Sequence, residues 1–183
     1  MPTIPSRLQA HSNSPQTLVS ATRLSTSPLF EGLDPKSLQR VAALTRRVEV
    51  GRGEVLVKQG EYGDILYVLE EGSVEIRSTT STGKERTLSL LRTRKPNEQL
   101  REDVFGEMCL LDLEPRSATV ITTEPSVLLL IHRDDLYWLF GEDRGLQLHV
   151  TVAIARLLSQ RLRRGIASVR RITDWTQSGG ELT

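Results

Sequence analysis

Residues 51–76 read GRGEVLVKQGEYGDILYVLEEGSVEI, and this stretch decides the fold class. Three short apolar or β-branched runs, Val55–Lys58, Ile65–Leu69 and Val74–Arg77, are separated by Gly60, Gly63 and Gly72. Runs of this length and composition are strands. Glycine between them supplies the positive φ that tight turns require. The pattern continues outward in both directions. Val48–Val50 precedes it, and Thr87–Leu91, Ala118–Thr122 and Val127–Ile131 follow, with Gly51, Gly53 and Thr82-Gly83 as further punctuation. Short strands at this spacing predict an antiparallel jelly-roll β-barrel.

Helical periodicity flanks the strands. Leu29, Phe30, Leu33, Leu38, Val41, Ala42 and Leu44 recur at helical spacing, and Asp34 followed by Pro35 is a cap and first-turn pair. They predict a helix from about Pro35 to Thr45. After Ile131, Leu136, Leu139 and Phe140 form one short amphipathic piece, which Gly141 and Gly145 are expected to break. A longer helix then carries Val150, Ile154, Leu157, Leu158, Leu162, Ile166, Val169 and Ile172 along one stripe. The fold class is therefore α+β, mainly β, with one domain over 28–172. Residues 1–27 are rich in Ser, Thr and Pro and hold no acidic or aromatic residue, so a disordered tail is expected there, and another over 173–183. The first tail has the composition of an organelle transit peptide but no clear amphipathic helix, so a plain leader is the preferred reading.

Composition narrows the function classes. The 183 residues carry 24 Lys+Arg against 23 Asp+Glu, which gives no overall basic excess for nucleic acid and leaves only a local patch open. No apolar run approaches the ~18 residues of a transmembrane helix. The single cysteine excludes an internal disulfide and a multi-Cys zinc site, and favours a reducing, cytoplasmic location. The histidines, at 11, 132 and 149, are too scattered for a metal site, and His132 and His149 read as surface or boundary residues.

One segment carries chemistry: FGEMCLLDLEPRSATV, residues 105–120. Gly106 ahead of a short helix allows close backbone approach to a ligand, and the first helical amides favour an anion. Arg116 offers a planar fork for a phosphate. Glu107 can accept hydrogen bonds from a hydroxyl. A ligand with a phosphate beside a sugar hydroxyl fits this set. The bland alternative is a structural ion pair between Glu107 and Arg116. Met108, Leu110 and Leu111 around Cys109 make it a buried small hydrophobe rather than a reactive thiol.

The segment resembles the phosphate-binding cassette of the cyclic nucleotide-binding domain family, F-G-E-x-A-L, a short spacer, then P-R-x-A-T/S-V. The upstream glycines, Thr82-Gly83-Lys84 and the flanking helices agree, and the resemblance covers roughly 28–172. It implies a non-enzymatic receptor of the catabolite activator or protein kinase A regulatory-subunit type, with cAMP, rather than cGMP, as the preferred ligand and no cofactor. It puts Glu107 on the ribose 2′-hydroxyl and Arg116 on the cyclic phosphate. The amides of Gly106, Met108 and Cys109 come near ribose and phosphate, and Ser117 assists the phosphate. Arg161 is expected near the base end of the pocket.

Two departures stand out. The approach to the cassette, 92–104, is longer than the family's and lacks its Gly, which suggests a surface insertion or a charged flap. The last helix holds Arg144, Arg156, Arg161, Arg163, Arg164, Arg170 and Arg171 with no acidic residue before Asp174. A solvated polar face is the preferred reading over an anionic partner. This helix resembles the dimerisation helix of catabolite activator-type regulators, yet only about ten residues follow Ile172, too few for a helix-turn-helix module. A parallel homodimer through the stripe is expected; the competing readings are an effector protein on the stripe or a helix folded back on its own barrel. The competing function is an interaction scaffold with a silent pocket. No nucleophile–base pair or phosphate loop points to an enzyme.

Overall fold

A computed structural model describes residues 21–93 and 103–177, with side chains as far as Arg170. Two four-stranded antiparallel sheets face each other. The first runs β1 (Arg46–Val50), β8 (Ser126–His132), β3 (Ile65–Glu71), β6 (Val104–Phe105) in spatial order. The second runs β2 (Val55–Val57), β7 (Thr119–Thr122), β4 (Ser73–Thr79), β5 (Glu85–Arg92). Four helices complete the chain: α1 (Ala21–Leu24), α2 (Pro35–Leu44), α3 (Arg133–Glu142) and α4 (Arg144–Gln177).

Strand alternation builds two cores from one sheet. Ile65, Tyr67 and Leu69 of β3 face the second sheet, where they meet Leu56, Val74 and Val120. Leu66 and Val68 point the other way and pack under the helices, with Phe30, Val41, Leu136 and Val150. β8 is buried along its whole length, because sheet covers one face and helices the other. All seven strands read from the sequence are present. The eighth, β6, has only two residues and therefore no period to detect. It is set by pairing with β3, where Tyr67 lies opposite Phe105 and the two rings stack at 4.8 Å.

Order begins earlier than expected. Residues 21–27 fold, whereas residues 1–20 lie outside the described residues. Leu24 and Ser27 are fully buried, and Leu24 joins the helical core. Few apolar residues suffice here because a covered groove already waits for them. The helix break also differs. Gly141 lies within α3 and Gly145 in the first turn of α4. The break falls at Asp143, whose Oδ1 accepts from the Leu146 amide at 2.9 Å. Helix α4 continues to Gln177, past the expected end at 172, and residues 178–183 lie outside the described residues. At 1.5 Å per residue it is about 50 Å long. Leu146, Val150, Ile154 and Leu157 are buried, whereas every residue from Leu162 to Arg170 is exposed.

Truncating Leu24 tests the early start of the fold. Leu24→Ala removes a fully buried side chain and is expected to cost about 2–5 kcal/mol in chemical denaturation. An unchanged midpoint would return residues 21–27 to the tail.

Candidate functional site

The cassette begins at a glycine that no other residue replaces without strain. Gly106 has φ +75°, and a Cβ there would lie 2.8 Å from Arg116 Nη1 and 2.9 Å from the Ile65 carbonyl oxygen. It starts a single 3-10 turn, Glu107–Leu110, in which the Cys109 amide donates to the Gly106 carbonyl at 3.3 Å.

Arg116 is held mainly by backbone, with the Cys109 thiol beside its side chain. Its amide donates to the Glu61 carbonyl at 2.8 Å, and its carbonyl accepts from the Gly60 amide at 2.9 Å. Its guanidinium donates to the carbonyls of Gly106, at 3.0 Å, and Ile65, at 2.8 Å. Gly63 makes the room, since a Cβ there would lie 2.7 Å from Arg116 Nε. No carboxylate among the described residues forms an ion pair with Arg116. The carbonyls fix the fork without cancelling its charge, and leave further N–H donors for an anion. A cavity of about 240 Å³ opens beside it, lined by Lys58, Glu61, Tyr62 and Asp64 among others.

Glu107 follows a different logic. It is buried, and Arg161 Nη1 of α4 donates to its Oε1 at 2.5 Å. Arg161 Nη2 donates to the Val104 carbonyl, also at 2.5 Å. The ion pair considered between Glu107 and Arg116 is thus not formed; the carboxylate pairs with Arg161, 54 positions along the chain. The structure brings Glu107 and Arg161 together, and Gly106 against Arg116, but Glu107 and Arg161 lie outside the lining of the cavity. Met108 is partly exposed. Ser117 is exposed directly after Arg116, and neither its hydroxyl nor its amide bonds to another described residue.

Cys109 is buried, and burial pushes its thiol up to about 11, against the opposing pull of Arg116 and Arg133. His132 departs from expectation. It is 1% exposed, because β8 runs one residue past the expected end and carries the ring inside. His149 is half-buried near Gly32. Residues 94–102, most of the expected flap, lie outside the described residues. Gly63 and Asp64 flank Arg116 and went unassigned from sequence; the glycine ladder that placed the turns was the available signal.

Comparison with known proteins identifies the pattern. The family model described as "Cyclic nucleotide-binding domain" matches residues 47–143. The cyclic AMP receptor protein of Thermus thermophilus is 38% identical over 137 residues, 75% of this chain and 58% of that protein. A cGMP-dependent protein kinase of Eimeria tenella is 36% identical over 89 residues, 49% of this chain and 8% of the kinase. The crystal structure of the Thermus thermophilus catabolite activator protein superposes with a TM-score of 0.65 at 32% identity, covering 80% of this chain and 63% of that one. The chain thus spans only part of the length of the curated relatives it matches. No helix among the described residues is long and apolar enough to cross a membrane.

The raised Cys109 thiol gives a direct check on the cassette's packing. At neutral pH it is protonated and covered, so alkylation of the native protein is expected to run about a hundredfold slower than in denaturant. Equal rates would show an open turn.

Proposed function

We propose that this chain, which belongs to the cyclic nucleotide-binding domain family, is a non-enzymatic receptor that takes a cyclic purine nucleotide at Arg116 and Glu107. The observation that carries this reading is the Arg116 fork, cradled between Gly63 and Gly106 by carbonyls with its charge uncompensated. Such a group favours a phosphate. Ser117 stands beside it with its hydroxyl and amide unused. Glu107 supplies the carboxylate for a ribose hydroxyl, with the amides of Gly106, Met108 and Cys109 around it. The name of the 38% identical relative supports cAMP over cGMP. A cytoplasmic location goes with the lone thiol.

Arg161 supports an output through α4, because it ties that helix to Glu107. A ligand hydroxyl that donates to Glu107 competes with Arg161 and so favours one helix position over another. Beyond Arg161 the helix exposes Leu162 and Ile166, and Leu148 and Val152 lie on the same seam at heptad spacing. A second copy, in parallel, covers it.

Thermal-shift titration with cAMP and cGMP tests the receptor reading, since a ligand bound only by the folded state raises the melting point. A rise is expected with cAMP at lower concentration than with cGMP. Arg116→Leu should abolish it, a loss of roughly 2–5 kcal/mol of binding. Glu107→Ala should weaken binding less, because only one side of a hydroxyl contact is charged. No shift with either nucleotide would leave a scaffold with a silent pocket. For the seam, light scattering of the full chain should show a dimer that Ile166→Glu with Val169→Glu makes monomeric. Two monomers at micromolar concentration would assign the seam to an effector protein.

A further inference from the structure

His132 is a buried polar side chain at the end of β8. Strand alternation places its side chain on the β8 face that carries Leu128 and Leu130, and its cross-strand partner is Ile65. Neither ring nitrogen has a hydrogen-bond partner among the described residues. A buried group in that condition calls for an explanation.

The surroundings supply one. Asp64 Oδ2 lies 3.8 Å from His132 Nδ1, too far for a hydrogen bond and close enough for an ion pair once the ring is charged. Asp64 also lines the cavity beside Arg116, and its neighbour Gly63 abuts the guanidinium. Ile65, the register partner of His132, gives its carbonyl to Arg116 Nη2. The remaining charges on the adjoining elements are otherwise placed. Arg133 and Asp134 at the start of α3 pair with each other at 3.2 Å. Arg46 of β1 is exposed opposite Leu130. Lys58 and Glu61 lie 3.8 Å apart at the cavity wall. Cys109 stays a neutral thiol at these pH values.

We propose that His132 is a positioning residue for the anion site, acting through Asp64 on Arg116. Charged, the ring holds the Asp64 carboxylate and leaves Arg116 to meet a phosphate without a competing negative group. Neutral, it releases that carboxylate beside Arg116, where it opposes an anion. This rests on the reading of Arg116 as the phosphate ligand. The sign follows: an anion favours the charged ring, so binding takes up protons, and affinity rises as pH falls.

Calorimetric titration of the full chain with cAMP, at about pH 6 and about pH 8 and in buffers of different ionisation enthalpy, tests it. The cyclic phosphodiester keeps one charge throughout. Roughly fivefold tighter binding at the lower pH, with proton uptake, is expected. Both effects should vanish in His132→Asn. They should also vanish in Asp64→Asn, a substitution at a partly exposed side chain that spares the core should His132→Asn fail to fold. Asp64→Asn should bind at about pH 8 as the unaltered chain does at about pH 6. Equal affinities at the two pH values, or a pH effect that survives Asp64→Asn, would overturn the proposal. Absence of binding at both pH values would instead overturn the Arg116 reading on which it stands.

Discussion

The architecture converges on a guanidinium held by neutral oxygen atoms. Arg116 donates to two carbonyls that come from different places in the chain, Ile65 at the start of β3 and Gly106 after β6. The pairing of those two strands, with Tyr67 opposite Phe105, sets the carbonyls at the separation a guanidinium fork can bridge. Two glycines clear the space, because a Cβ on either would lie under 3 Å from the same side chain. A carboxylate in place of the carbonyls would have made a closed ion pair with little left for a ligand. Carbonyl dipoles orient the group and leave its charge intact.

The second charged group of the cassette is handled in the opposite way. Glu107 is buried, and a buried carboxylate without a counter-charge is expensive. Arg161 meets that requirement from the last helix, and its other arm takes the Val104 carbonyl of β6. Separating a buried pair costs on the order of 3–5 kcal/mol when nothing replaces the lost partner. A hydroxyl donor at Glu107 would replace part of it. Glu107 and the seat of α4 are therefore joined through one side chain.

What the sequence made legible follows the range of the signal. Strands bounded by Gly60, Gly63 and Gly72 were readable because turn chemistry is local and alternation repeats within a few residues. β6 was not, since two residues hold no period. Leu24 was not, since a lone leucine among Ser and Thr gives no sign of the groove that buries it. Gly141 and Gly145 suggested the wrong break, because the side chain of Asp143 caps the following helix more effectively than a glycine interrupts the preceding one. His132 looked like a boundary residue because the polar run after it, Arg133-Asp134-Asp135, hides that the strand carries it inside. The partner of Glu107 lay beyond reach altogether: both Arg116 and Arg161 were singled out, and only the fold chooses between them.

That choice also locates a boundary along α4. Before Arg161, Val150, Ile154 and Leu157 are buried against the domain; after it, the side chains are exposed through Arg170. Arg161 joins the helix to the domain at Glu107 and at the Val104 carbonyl of β6. The exposed Leu162 and Ile166 begin one residue later, on a continuous helical rod. The residue that pairs with Glu107 and the first residues of the apolar seam therefore sit at adjacent positions, with no loop between them.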